Sequence, residues 1–198
     1  MDPTVSHAER TQRRARMRAL LLHAAKARAP DVLALSKEKP LFAPYSPSPD
    51  AIIHAVWAFL ETQQRPLTSA DRLVDLGCGD GRWLISGVQR YNCSALGIEL
   101  DPALVERAKQ NVHLAELAHL IDVIQADIMA TDITNATFVI VYAFAESLSG
   151  IREYLEKQLS KQASVLSIGF RVPEWKPEWS DRAGGLRWYL YDIKSLRG

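Results

Sequence analysis

No stretch of eighteen apolar residues occurs in this chain of 198 residues. A membrane-spanning helix needs about 20, so none is expected. No short apolar core with a small-residue cleavage site stands near the start, so a secretory signal is not expected either. Cysteine is scarce, with only Cys78 and Cys93. Two thiols cannot build a disulfide framework, and no Cys/His spacing suits zinc, so a reducing compartment is the simpler reading and no metal is expected. Net charge is nearly absent, with 24 Lys+Arg against 23 Asp+Glu. That balance argues against a nucleic-acid binder that is basic throughout. Repeats and low-complexity tracts are lacking too. What is present is a 47% hydrophobic share, enough for a core, at a length that fits one domain with a short extension.

The small net charge hides an asymmetry. Residues 1–40 hold nine Lys/Arg and four Asp/Glu, whereas residues 41–198 hold fifteen and nineteen. The chain therefore divides into a basic extension, 1–40, and a domain, 41–198. Residues 6–28 are rich in Ala, Arg and Leu and are expected to be helical, with Met17, Leu20 and Leu21 as one apolar stripe. Such a helix suits a mitochondrial presequence, an arm toward an acidic partner or membrane surface, or a solvated helix packed on the domain. Asp2 and Glu9 count against a presequence.

Four prolines in residues 40–49 forbid helix or central strand and predict a fixed, extended lead-in. Ser48 then reads as an N-cap, with Pro49 opening a helix that runs to about Gln64. Ile52, Ile53, Val56, Trp57 and Leu60 recur on one face of it. From Arg72 the pattern alternates. Strands are expected at 73–76, 95–100, 121–126, 138–144, 164–170 and 186–193, and helices at 82–91, 101–117 and 147–159. Alternation of this kind implies an α/β fold with a doubly wound, mostly parallel sheet of the Rossmann-like type, the last strand lying antiparallel.

The most informative stretch is Leu73-Val-Asp75-Leu-Gly77-Cys78-Gly79-Asp-Gly81. It leaves a strand and opens a helix, and its alternate glycines let the backbone turn tightly and a ligand approach. Glu99 ends the next strand, where a carboxylate can accept from ribose hydroxyls. Asp127 ends the third, where it can accept from the exocyclic amine of adenine. Ligands of doubly wound sheets sit at these carboxyl ends. A nicotinamide dinucleotide would require a third glycine where Arg82 stands. Asp75 and Asp80 would repel a pyrophosphate and attract a cation. The loop chemistry thus points to S-adenosylmethionine (SAM), a sulfonium that also carries an ammonium group. Cys78 is expected to contribute backbone rather than thiol chemistry. His54, His113 and His119 lack partner spacing, and Glu116 and Glu146 read as solvent-facing charges.

Asp75-Leu-Gly-Cys-Gly-Asp-Gly81, Gly97-Ile-Glu-Leu-Asp-Pro102 and Gln125-Ala-Asp127 together resemble the motifs of class I SAM-dependent methyltransferases. Pro44-Tyr-Ser-Pro-Ser-Pro49, Phe170-Arg-Val-Pro-Glu-Trp175-Lys-Pro177 and Trp188-Tyr-Leu-Tyr-Asp192 resemble a compact subgroup. It contains the lysine methyltransferases of the ATP synthase c-subunit and the adenine nucleotide translocase; Dot1-type enzymes are more distant. The resemblance implies cofactor binding by Asp75, Gly77, Cys78, Gly79, Gly81, Glu99, Leu100, Asp127, Ile128 and Ser48. It implies an acceptor channel with Tyr142, Phe144, Tyr45 and Trp175. The implied partner is a protein with an acceptor lysine, with no nucleic acid partner, in mitochondria or else the cytoplasm. Acceptor, degree of methylation and oligomeric state are left open.

Methyl transfer to lysine needs a neutral amine. With an ordinary pKa near 10.4, deprotonation at pH 7 costs about 4–5 kcal/mol. An aromatic channel beside a cationic donor lowers that pKa by desolvation and repulsion. Competing expectations are a small-molecule N- or O-methyltransferase and a non-catalytic SAM-binding partner protein. A nicotinamide enzyme is more remote.

Overall fold

A computed structural model describes residues 45–143, 145 and 147–196. The helix expected over 6–28, most of the proline segment, Phe144 and Glu146 lie outside the described residues. The unit that carries the fold is Pro47–Gly198; Tyr45 and Ser46 belong to the preceding unit.

Helix α1 (Asp50–Thr62) buries Ile52, Ile53, Val56, Trp57 and Leu60, the face its spacing predicts. Its N-cap is Pro49, and Ser48 makes no cap bond. Strands and helices then alternate as β1 (Arg72–Leu76), α2 (Arg82–Tyr91), β2 (Ser94–Glu99), α3 (Pro102–Leu114), β3 (Ile121–Gln125), β4 (Phe138–Val141), α4 (Leu148–Gln158) and β5 (Ser164–Ile168). An antiparallel pair, β6 (Trp179–Ala183) and β7 (Leu186–Asp192), and a short helix α5 (Ile193–Leu196) close the chain. The seven strands lie in the order β3-β2-β1-β4-β5-β7-β6. Strands β1 to β5 are parallel, and β7 runs antiparallel to β5 and β6.

Strand β4 is shorter than its apolar run suggests. Its last pairings are Val141 with Leu76 of β1 and Ser167 of β5. Both neighbours turn away just beyond, at Gly77 and Gly169, with φ of 82° and 84°. Tyr142 and Ala143 therefore leave the ladder. Strand β6 was not expected, because Ser180, Asp181 and Arg182 are exposed. Its hairpin to β7 turns at Gly184-Gly185, both at positive φ, a pair suited to a tight hairpin.

The core on one sheet face is aromatic. Trp57 stands edge-on to Trp83 and Tyr91, with centroids 5.3 and 5.7 Å away, and Phe59 packs on Trp188 at 4.9 Å. Such pairs add about 0.5–1.5 kcal/mol each beyond their buried area. They fix α1 and α2 against the sheet and so fix the loop between β1 and α2. Among the described residues no helix is long and apolar enough to cross a membrane.

Candidate active site

The chain leaves β1 for β2 on one side and reaches β4 on the other only after two more strands. This reversal opens a crevice at the carboxyl ends of β1 and β4. Asp75 is the penultimate residue of β1, Glu99 ends β2, and Asp127 follows β3. The structure brings all three to that end of the sheet.

Asp75 is 4% exposed, and no described residue donates a hydrogen bond to its carboxylate. Burial, with Glu99 and then Asp80 adding repulsion, pushes its pKa up from 3.8 to about 8. A buried carboxyl without a partner is unfavourable as an anion. A cation bound beside it would remove that penalty. Glu99 is the opposite case. Its Oε2 accepts from Gly79 N at 3.0 Å, and its Oε1 accepts from Leu100 N at 2.8 Å and Asp101 N at 3.0 Å. With about four acceptor sites on a carboxylate, the free one lies on Oε2. Asp127 Oδ1 accepts from Met129 N at 2.9 Å and caps a 3-10 turn, Ile128–Ala130. Its Oδ2 has no hydrogen-bond donor among the described residues.

The glycine loop directs its own amides inward. Gly77 N and Cys78 N both donate to Ile98 O, at 2.8 and 3.1 Å, and Gly81 N donates to Cys78 O at 2.9 Å. With Gly79 N given to Glu99, these donors are not presented to a ligand. A phosphate-cradling loop does the reverse. Beyond Gly77, a methyl group would meet no atom within 4 Å, so that flank is open. The Cys78 thiol is buried against Gly97, where a Cβ would come within 2.7 Å of Sγ. Burial, then Asp75 and Glu99, push that thiol far above its usual range, so it stays protonated.

Two expectations change here. Asp80 does not add a bare negative charge, because Arg82 grips it with Nε at 3.0 Å and Nη2 at 2.7 Å. Ser48 is not an N-cap. Its buried hydroxyl accepts from the Trp83 indole at 3.0 Å, while its carbonyl accepts from Arg82 Nη1 at 2.8 Å. Arg82 and Trp83 therefore pin Ser48 to the start of α2, a role the spacing of the sequence does not signal. The hairpin holds it from another side, since a Cβ on Gly184 would lie 3.1 Å from Pro49.

Tyr142 is half-buried, and its ring lies beside Gly169, where a Cβ would be 3.2 Å away. It thus stands at the crevice, one strand over from Asp75. Trp175 is placed elsewhere. Its indole donates to Glu156 near the end of α4, and its ring meets Tyr191 at 5.4 Å. Tyr191 pairs with Val165 near the start of β5, at the opposite end of the strands. Leu100 is 36% exposed beside Glu99, and Ile128 is buried. Met129, 40% exposed, is a further apolar surface next to Asp127 that the sequence reading did not single out.

Residues 75–179, just over half the chain, match the family model of the ANTKMT methyltransferase domain. The chain belongs to this family. A protein-lysine N-methyltransferase of Saccharolobus islandicus is 26% identical over 68% of this chain and 81% of its own length. The lysine N-methyltransferase of the ATP synthase c-subunit from Homo sapiens is 26% identical over 64% of this chain. The match spans 54% of that human protein, about half of it. A solved RNA methyltransferase from Salinibacter ruber, bound to S-adenosyl-L-homocysteine, is 32% identical with a TM-score of 0.68, over 75% of this chain and 94% of that one. The family member described here is a SAM-dependent methyltransferase with the family's Rossmann-like fold. Its open Gly77 flank and an Asp75 carboxyl with no donor among the described residues fit a cationic cofactor.

Proposed function

We propose that this methyltransferase modifies lysine side chains of a protein. The geometric observation that carries the reading is the half-buried Tyr142 ring at the crevice, one strand from the buried carboxyl of Asp75. An aromatic wall beside a cation site is what a lysine nucleophile requires. It strips water from the ammonium, favours loss of its proton, and favours a methylated product by cation–π attraction. The kinship with proteins named as lysine N-methyltransferases supports the same acceptor.

When bound, SAM supplies an electrophilic methyl group. The chain's residues bind and orient. Asp75 would meet the cationic part, Glu99 Oε2 a ribose hydroxyl, and Asp127 Oδ2 the adenine amine, with Leu100 and Ile128 offering apolar surface. Ser48, held by Trp83 and Arg82, would stand beside the start of α2 next to the cofactor. Holding donor and nucleophile in line at about 3 Å is itself the main catalytic device. The basic residues of 1–40 would serve organellar targeting or contact with an acidic surface.

The test incubates the full chain with methyl-labelled SAM and a methylation-depleted cell extract. Base-stable label in a discrete protein band, recovered as methyllysine, is expected. Label confined to small molecules would reassign the acceptor. SAM binding without any transfer would make the chain a non-catalytic partner protein.

A further inference from the structure

The β6–β7 hairpin carries an arrangement that the fold does not explain. Arg182 and Arg187 are direct cross-strand partners, and both are exposed. Like charges directly opposite each other on a sheet are destabilising. Alternation along β7 puts Arg187 on the face of Tyr189, opposite the face that Trp188 and Leu190 bury. Arg171 covers the Tyr189 ring, its guanidinium carbon 5.6 Å from the centroid. Three arginines thus share one sheet face. None has a carboxylate partner among the described residues, whereas Arg65, Arg82, Arg90 and Arg152 each have one. The cluster is not a general basic surface, because residues 41–198 carry fifteen Lys/Arg against nineteen Asp/Glu.

The cluster also has a position. Gly169 N donates to Arg187 O at 2.7 Å, and the Tyr142 ring lies against Gly169. The start of β7 is therefore at the carboxyl end of the parallel strands, next to the Tyr142 side of the crevice. Tyr142 packs on the opposite sheet face, so a polypeptide that offers a lysine there meets these arginines by passing around the end of β5 and β7.

We propose that this face docks an acidic stretch of the acceptor polypeptide beside the methylated lysine. The proposal rests on the lysine reading above and names its substrate class. Nucleic acid is the poorer fit, since residues 41–198 carry more Asp/Glu than Lys/Arg and uniform phosphate charge favours an extended basic surface.

The test uses the full chain with S-adenosyl-L-homocysteine. Two fluorescent peptides serve as probes, one with a lysine flanked by glutamates and one with the same lysine flanked by glutamines. Anisotropy at low ionic strength is expected to show the glutamate peptide bound tighter by about five-fold or more. The triple variant Arg171→Ala, Arg182→Ala, Arg187→Ala loses that preference and keeps its affinity for SAM, which also reports that it is folded. Equal or undetectable binding of the two peptides overturns the proposal, as does a preference that survives the substitutions. An arginine-dependent preference for an oligoribonucleotide over the glutamate peptide overturns it in favour of nucleic acid. Methyl transfer is followed separately. Arginine-dependent binding of the glutamate peptide with no lysine methylated counts against the lysine reading alone. Methylation of both peptides at equal kcat/KM counts against the docking face alone.

Discussion

Replacing Asp75 by Asn should make the cofactor-free protein more stable, and increasingly so as the pH rises. The Asp75 carboxyl has its pKa pushed from 3.8 to about 8 by burial and by Glu99. Between those two values the folded chain keeps the proton and the unfolded chain releases it. Stability from this group is thus complete below the lower value and is lost as the pH rises through the upper one. Linkage makes the loss about 3 kcal/mol at pH 6 and about 5 kcal/mol at pH 8. Asn fills nearly the same volume and does not titrate. The stability advantage of Asp75→Asn over the parent should therefore grow by about 2 kcal/mol from pH 6 to pH 8. Urea unfolding followed by tryptophan fluorescence reads this directly, because Trp57 and Trp188 are fully buried. Both proteins are measured without SAM, and the difference between them removes the titrating groups that do not interact with Asp75. Parallel pH profiles would refute the claim that Asp75 is a buried acid with no donor among the described residues.

Other substitutions test the rest of the site. Glu99→Ala leaves the amides of Gly79, Leu100 and Asp101 without their acceptor; calorimetry should find no SAM binding, and stability should fall by about 3 kcal/mol or more. Gly97→Ala drives a methyl to within 2.7 Å of both Cys78 Sγ and Leu84 Cδ1, which should cost about 1–3 kcal/mol in chemical unfolding. A double-mutant cycle of Ser48→Ala and Trp83→Phe should give a coupling of about 1 kcal/mol, since each single change strands the other partner in a buried place.

Much of this molecule could be read from its sequence, and the exceptions have physical causes. Strands β1, β2, β4 and β5 are almost fully buried, so their apolar runs were plain, and helix α2 has the bounds its pattern implied. The edge strand β6 hid behind exposed polar residues, and only Gly184-Gly185 signalled a hairpin. Strand β4 was read too long because Tyr142 and Ala143 continue the apolar run after both neighbouring strands have turned away. The carboxylates at the strand ends were legible from spacing, since a parallel sheet sends successive strand ends to one crevice. Their partners were not. Ser48 looked like a local cap because its true partner, Trp83, is thirty-five residues distant. Asp80 looked like a free charge because the grip of Arg82 depends on the conformation of the loop.

If the Asp75 carboxyl, which has no donor among the described residues, receives the cation of the cofactor, binding and proton release are coupled. A cation that ionises Asp75 must expel its proton. Calorimetric titration of SAM at pH 6.5, repeated in buffers of different ionisation enthalpy, counts the protons released. About one proton should be released per SAM bound, and none in Asp75→Asn. Binding of SAM with no proton release by the parent chain would contradict it.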